Sequence, residues 1–160
     1  MNRRPGLSPL SPARLIATGF GIGLLPGMPG TWASLAALPC AWAIRVWFGA
    51  WALAIATVIA FGLGWWASAR VAGDSGIKDP GFVVIDEIAA QWLVLVALPA
   101  RPHFYAAAFL AFRLFDIWKP FPIGWLDRTA KGGLGIMLDD VMAAIYALAL
   151  IAIAGVALDV

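Results

Sequence analysis

An all-α, multihelical integral membrane protein is what this sequence predicts, and three observations predict it. The chain is 62% hydrophobic and 12% charged over 160 residues, whereas a water-soluble domain is roughly half apolar and about a quarter charged. The apolar residues fall in long runs, and residues 50–69 form an uncharged stretch of about the 20 residues that a spanning helix needs. Almost every carboxylate is confined to two polar segments between those runs. The length suits one domain covering residues 1–160.

The opening residues carry Arg3 and Arg4 among three prolines and lead into no apolar run with a small-residue cleavage site, so no signal peptide is read there. Residues 19–31 are rich in glycine and proline. They lack the lysine of a phosphate-binding P-loop and follow no strand, which excludes nucleotide binding and leaves an interfacial loop or re-entrant segment. Residues 31–48 are apolar apart from Pro39 and Arg45, and residues 50–69 give the clearest span. Residues 88–99 and 104–115 are shorter runs separated by Arg101-Pro102-His103. They read as a helical hairpin, tilted or re-entrant because each is short for a full crossing. Residues 141–158 are again uncharged, giving about four to five transmembrane or re-entrant helices.

If all five runs cross and the N-terminus is cytoplasmic, one side holds Arg3, Arg4, Arg14, Arg70, Lys78, Arg113, Lys119, Arg128 and Lys131. The other holds only Arg45 and Arg101. Basic residues mark the cytoplasmic side, so a multi-pass membrane protein with its polar face toward the cytoplasm is expected. Both acidic segments, residues 70–87 and 116–140, then lie on that face, and they hold every acidic residue but Asp159.

Asp86-Glu87 opens one apolar run and Asp139-Asp140 opens another. A single such pair is as well explained by helix capping and the helix dipole. Two pairs at one membrane face repel each other unless a cation neutralises them, and oxygen ligands of this kind suit magnesium or manganese. The predicted metal ligands are Asp86, Glu87, Asp139 and Asp140, with Asp116 completing the catalytic set. Ala90, Ala143 and Ala144, one turn further along, are small enough to let the two helices approach. Arg113, Asp116 and Lys119 lie along one side of a helix stopped by Pro120. Local salt bridges explain that spacing equally well; the functional reading makes Arg113 and Lys119, with Arg128 and Lys131, the groups that hold phosphate oxygens. The glycines at 132, 133 and 135 are read as a flexible turn beside those cations.

Other chemistries lack residues. One cysteine, Cys40, and one histidine, His103, build neither an internal disulfide nor a zinc site. Four residues lie between Cys40 and Arg45 rather than the five of cysteine phosphatases, and no Asp-x-Asp start of a haloacid-dehalogenase-type phosphatase occurs. The Asp-Gly-x-x-Ala-Arg signature of CDP-alcohol phosphotransferases is missing too. No nucleic-acid partner is expected. A small transporter or channel component with cation-binding carboxylates is the alternative from another class.

Four segments carry a family resemblance: GFGIGLLPGMPGTWASL (19–35), VVIDEIAAQW (83–92), FRLFDIWKPFPIGWLD (112–127) and GGLGIMLDDVMAA (132–144). Together, in this order and over nearly the whole chain, they resemble the signature segments of the phosphatidylglycerophosphatase A family. The resemblance implies an all-helical fold, a phospholipid substrate in the bilayer, and magnesium-dependent hydrolysis of phosphatidylglycerophosphate to phosphatidylglycerol and phosphate. The matching positions are Asp86, Glu87, Asp116, Lys119, Pro120, Asp127, Asp139 and Asp140; Ala33 and Ala90 stand where relatives often have glycine. Direct attack of water and an aspartyl-phosphate intermediate are both open routes.

Overall fold

The computed structural model describes Ser8, residues 10–130 and residues 132–157. Arg3, Arg4, Lys131 and Asp159, all used in the sequence reading, lie outside the described residues. The elements are α1 (Pro12–Ala17), a 3-10 turn (Ile22–Leu24), α2 (Pro29–Phe48), α3 (Ala50–Ser75), α4 (Ile85–Val96), α5 (Pro102–Trp118), α6 (Ile123–Thr129) and α7 (Gly132–Ala157). The chain is all-helical among the described residues.

Helices α2 and α3 are joined by Gly49 alone, at φ +88°, a conformation that glycine adopts without the steric cost of a Cβ. The bundle then runs up and down, so one end collects the start of α2, the end of α3, the start of α4, the end of α5, α6 and the start of α7. Contacts confirm the register. A Cβ at Gly64 of α3 would lie 3.0 Å from Met137 of α7 and 3.2 Å from Ile85 of α4. At the opposite end, Arg45 Nη1 of α2 donates to the Leu95 and Val96 carbonyls of α4 at 2.9 and 3.2 Å. They lie at the last turn of α4, where the helix leaves carbonyls short of donors; that of Leu95 also accepts the Leu98 N–H at 3.3 Å.

The short α4 is the central helix. At 12 residues it is about 18 Å long, against about 39 Å for the 26 residues of α3 or α7. Its Val94, Leu95 and Ala90 join Leu53, Phe112, Ala143 and Ala144 in the main core. The outer surface is apolar: Trp51, Val58, Ile59, Leu110, Ile117 and Ile153 are all exposed. Helices α3 and α7 are long and apolar enough to cross a membrane. The 17 residues of α5 and the 12 of α4 are shorter than a perpendicular span of about 20 residues.

Two local expectations are corrected. Asp139-Asp140 does not open its helix. Helix α7 begins at Gly132, so the pair sits two turns inside it and gains little from the helix dipole, which fades beyond the first turn. Nor are the glycines at 132, 133 and 135 together a free turn for an anion: Gly132 has a turn conformation, φ +71°, with open space around it, but the other two are packed. Gly133 lies against the backbone of Trp65 and Ala69 in α3, so close that any side chain there would collide, and Gly135 is packed on Ala130.

Candidate active site

Asp86 and Glu87 occupy the first turn of α4, where the positive end of the helix dipole favours carboxylates. They meet Asp140, projected inward from α7. One oxygen from each of the three lies within 4.8 Å of the others. Asp86 and Asp140 are buried, and Asp86 Oδ1, Glu87 Oε2 and Asp140 Oδ2 have no hydrogen-bond partner among the described residues. Asp116 of α5 lies against Asp140. Such oxygens repel one another without a cation; an all-oxygen set with unpartnered lone pairs fits a hard divalent ion. Among the described residues, this is the cluster that could hold a metal.

Asp139 faces elsewhere. Its Oδ2 accepts from Lys119 Nζ at 2.8 Å, and Asp127 Oδ1 accepts from the same ammonium at 3.0 Å. The expected set of four carboxylates thus divides into three that converge and one committed to a lysine. Lys119 reaches both partners because it ends α5 in the left-handed conformation, φ +46°, which turns the chain toward α6. Burial alone would lower the Lys119 pKa, but the two carboxylates hold it above its ordinary value. Nearby, Asp79 is raised, first by burial and then by Asp127, with Lys119 opposing. Lys78 donates to the Asp127 and Arg128 carbonyls, tying the loop after α3 to the end of α6.

Arg113 pairs with Asp116 as the spacing along α5 predicts, and its Nε is buried without a hydrogen-bond partner among the described residues. It also borders Gly30 of α2: a Cβ there would fall 3.2 Å from Arg113 Nη1 and would collide with the Glu87 carboxylate. The first turn of α2 therefore closes over Glu87 only because residue 30 has no side chain. Arg128 is exposed at the end of α6, near Gly124, and no contact ties it to the three carboxylates.

Sequence reasoning missed several residues here. Gly30 was one of many glycines in its segment, and nothing in the sequence sets it apart. Gln91 carried a visible signal as the lone amide in an apolar run: it is 0% exposed, one turn beyond Glu87, and neither amide atom has a partner among the described residues. Asp79 and Lys78 read as ordinary loop charges.

Fold and site together define an all-helical protein with an apolar exterior and, toward one end, a recessed acidic centre flanked by cations. Comparison with known proteins narrows this class. The family model for phosphatidylglycerophosphatase A matches residues 15–155, and the chain belongs to that family. It is 42% identical over 137 residues to phosphatidylglycerophosphatase A of Escherichia coli, covering 84% of this chain and 78% of that protein. Identity to the Haemophilus influenzae protein of the same name is also 42%, over 142 residues, 88% of this chain and 87% of that one. A Bacteroides thetaiotaomicron protein provisionally named as a phosphatidylinositol-3-phosphatase is 38% identical over 161 residues, 95% of this chain and 96% of its own. No solved structure matches the chain.

Proposed function

We propose that this protein, a lipid phosphatase of phosphatidylglycerol synthesis by its family, hydrolyses the terminal phosphomonoester of phosphatidylglycerophosphate at the Asp86–Glu87–Asp140 cluster with magnesium. The observation that carries the site is the meeting of the Asp86-Glu87 pair with the distant Asp140, each of the three with a buried, unpartnered oxygen.

A divalent ion held by Asp86, Glu87 and Asp140 would neutralise charge on the phosphate and make water more acidic. The chain's own residues do the rest. Arg113, beside Glu87, orients phosphate oxygens. The Lys119 ammonium has three N–H donors, of which Asp127 and Asp139 take two, leaving one for the substrate. Asp139 and Asp127 act by holding Lys119 in place. Water attacks phosphorus opposite the glycerol oxygen, and the phosphorus–oxygen bond to glycerol breaks. The attacking water gives up a proton to a neighbouring carboxylate, a role assigned here to Asp116 because it lies against Asp140, and the departing glycerol oxygen takes one up.

The level of the site suits a headgroup. Helix α3 exposes Trp51 near one end and Trp65 and Trp66 toward the other, about 22 Å apart, as aromatic residues flank a hydrocarbon layer. Gly64, level with Ile85, puts Asp86 beside the second aromatic pair. Arg70, Lys78, Arg113, Lys119 and Arg128 lie toward that end and Arg45 and Arg101 toward the other. This favours a multi-pass protein of the bacterial inner membrane with the site facing the cytoplasm.

The test is phosphate release from phosphatidylglycerophosphate by the purified protein, with magnesium or with EDTA, for wild type and Asp140→Asn. Magnesium-dependent release that Asp140→Asn lowers at least ~100-fold is expected, the scale of losing a group that stabilises the transition state. Release that persists in EDTA removes the metal from the mechanism. Phosphatidylinositol 3-phosphate, run in parallel, is expected to be the poorer substrate.

A further inference from the structure

On the far side of α4 from the carboxylates lies an apolar cavity of about 440 Å³. Ala37 and Cys40 of α2, Ala60 and Leu63 of α3, Ile88 of α4 and Phe20 of the preceding loop form much of its wall. No charged or hydroxyl side chain lines it. The one nitrogen among its lining side chains, Trp92 Nε1, is already taken by the Ala37 carbonyl at 2.9 Å. A space without polar partners does not hold ordered water. Small residues on facing sides of α2 and α3 keep it open: those helices meet at Gly49 and leave room between them toward the other end.

We propose that this cavity holds one acyl chain of the lipid whose phosphate is bound at the carboxylates. The inference rests on the lipid phosphatase reading and adds where the tail goes. Three features of the fold support it. The first is level: the cavity begins at Ile85, next to Asp86, and continues past Ile88 to Trp92, about 10 Å along α4 and away from the polar end. A chain descending from a headgroup at the carboxylates takes that direction. The second is continuity. Gly19, Phe20 and Ile22 close the upper end of the cavity, and the same segment runs on through the exposed Leu24, Leu25 and Met28 to Gly30, against Glu87. One stretch of chain borders both tail and phosphate.

The third feature is separation. Successive helix residues point about 100° apart, so Ile85, Ile88 and Trp92 face the cavity while Glu87 faces Gly30 and Arg113. The two compartments therefore lie about one helix diameter apart, roughly 10 Å. In phosphatidylglycerophosphate a glycerophosphodiester stands between the acyl chains and the terminal phosphate, a linker able to pass around α4. The cavity does not attract the chain by hydrophobic transfer, because lipid tails are as apolar as its walls. It sets the position of the tail, and with it the position of the phosphate.

Cys40 is the only cysteine of the chain, is exposed, and lines the cavity, so the native protein carries its own probe. Two measurements test the proposal. In mixed micelles, phosphate release is compared for long-chain phosphatidylglycerophosphate and its dihexanoyl analogue, in wild type, Cys40→Trp and Ala56→Phe. Filling the cavity is expected to lower the ratio of the two kcat/KM values (long-chain over short-chain) about tenfold, within what misplacing a bound substrate costs. An unchanged ratio overturns the proposal. Absence of release from both substrates by wild type would instead overturn the phosphatase reading. Independently of any variant, alkylation of Cys40 by a maleimide is followed with a long-chain, non-hydrolysable phosphonate analogue of phosphatidylglycerophosphate or an equal mole fraction of phosphatidylcholine, both with magnesium. Slower labelling with the phosphonate lipid alone is expected. Equal protection by phosphatidylcholine assigns the cavity to bulk lipid and refutes the inference.

Discussion

Replacing Lys119 by methionine separates the two kinds of charge around the site. The ammonium is shared by two carboxylates in different surroundings: the Asp139 side chain is 8% exposed and that of Asp127 36%. Deleting the partner of an exposed carboxylate changes little, because water takes over; such pairs contribute about 0–1 kcal/mol. Deleting the partner of a buried one leaves a charge without compensation, at about 3–5 kcal/mol for a fully buried pair. Lys119 itself is 30% exposed, so roughly 2–4 kcal/mol is the expected loss for Lys119→Met, nearly all of it through Asp139. Asp127→Asn should cost less than about 1 kcal/mol. The decisive variant is the double one. Removing the charge of Asp139 in the Lys119→Met background should recover most of the stability without recovering phosphate release, if Lys119 also serves the substrate as proposed. Unfolding by SDS in mixed micelles gives the four free energies of the cycle. If Asp127→Asn costs as much as Lys119→Met, or Asp139→Asn fails to rescue the lysine variant, the division of labour drawn from these exposures is wrong.

Four further outcomes follow from the same geometry. Gly30→Ala should lower phosphate release at least ~10-fold while the bundle still folds, because the new methyl displaces the Glu87 carboxylate and a small misplacement at a site is costly; circular dichroism beside activity checks it, and full activity would mean that Glu87 is free to move. Gln91→Leu should stabilise the protein by about 1–3 kcal/mol by removing a buried amide without partners, and should lower kcat; a variant that is more stable and fully active would show that the amide has no part in the site. Arg45→Met should destabilise by about 1–3 kcal/mol by stripping the Val96 carbonyl of its side-chain donor and leaving that of Leu95 with the Leu98 N–H, with Arg45→Lys recovering part of it; a neutral effect would show that the Val96 carbonyl finds another donor. The stability difference between wild type and Lys119→Met should not decline from pH 7 to 9. The folded-state pKa of Lys119 is raised, so its contribution is complete below the unfolded value, about 10.4, and is lost only as pH rises through the higher folded one. A decline beginning near pH 8 would contradict this.

Helix was legible in the apolar runs 31–48, 50–69 and 141–158 because runs of that length allow little else, and their alternation brought the two acidic segments to one end. Asp86 and Glu87 were legible for the same reason, since a carboxylate pair just before an apolar run marks a helix start. Asp139 and Asp140 look identical by that rule, yet the helix begins at Gly132. The glycines that suggested a turn are instead what allows α7 to pack against Trp65 and Ala69. Local pattern does not distinguish a glycine that breaks a helix from one that lets two helices touch. Neither does it show which of two adjacent aspartates faces which neighbour. One residue along a helix is a rotation of about 100°, so Asp140 turns to Glu87 and Asp139 to Lys119. That division depends on where α5 ends, at a left-handed Lys119 that no periodicity announces.

The depth of the site is set by the length of α4. Were this helix as long as its neighbours, its first turn would emerge at the polar end and Asp86 and Glu87 would be solvated there, as the charges at the end of α3 are. With 12 residues it starts level with Gly64, while α3 continues for residues 65–75, about 16 Å further. The carboxylates are thus held below the rim of the bundle, among surrounding helices. There their mutual repulsion is little screened, and a divalent ion would be bound the more strongly for it. Shortness has a consequence at the other terminus, where α4 stops among apolar side chains with open carbonyls. Arg45 reaches in from α2 to meet them. The acid pair at the head of α4 and the arginine at its foot are therefore two results of one feature. Lengthening α4 by a turn would raise the carboxylates out of register with Asp140 or drive the foot past Arg45, and either would separate the residues that the fold brings together.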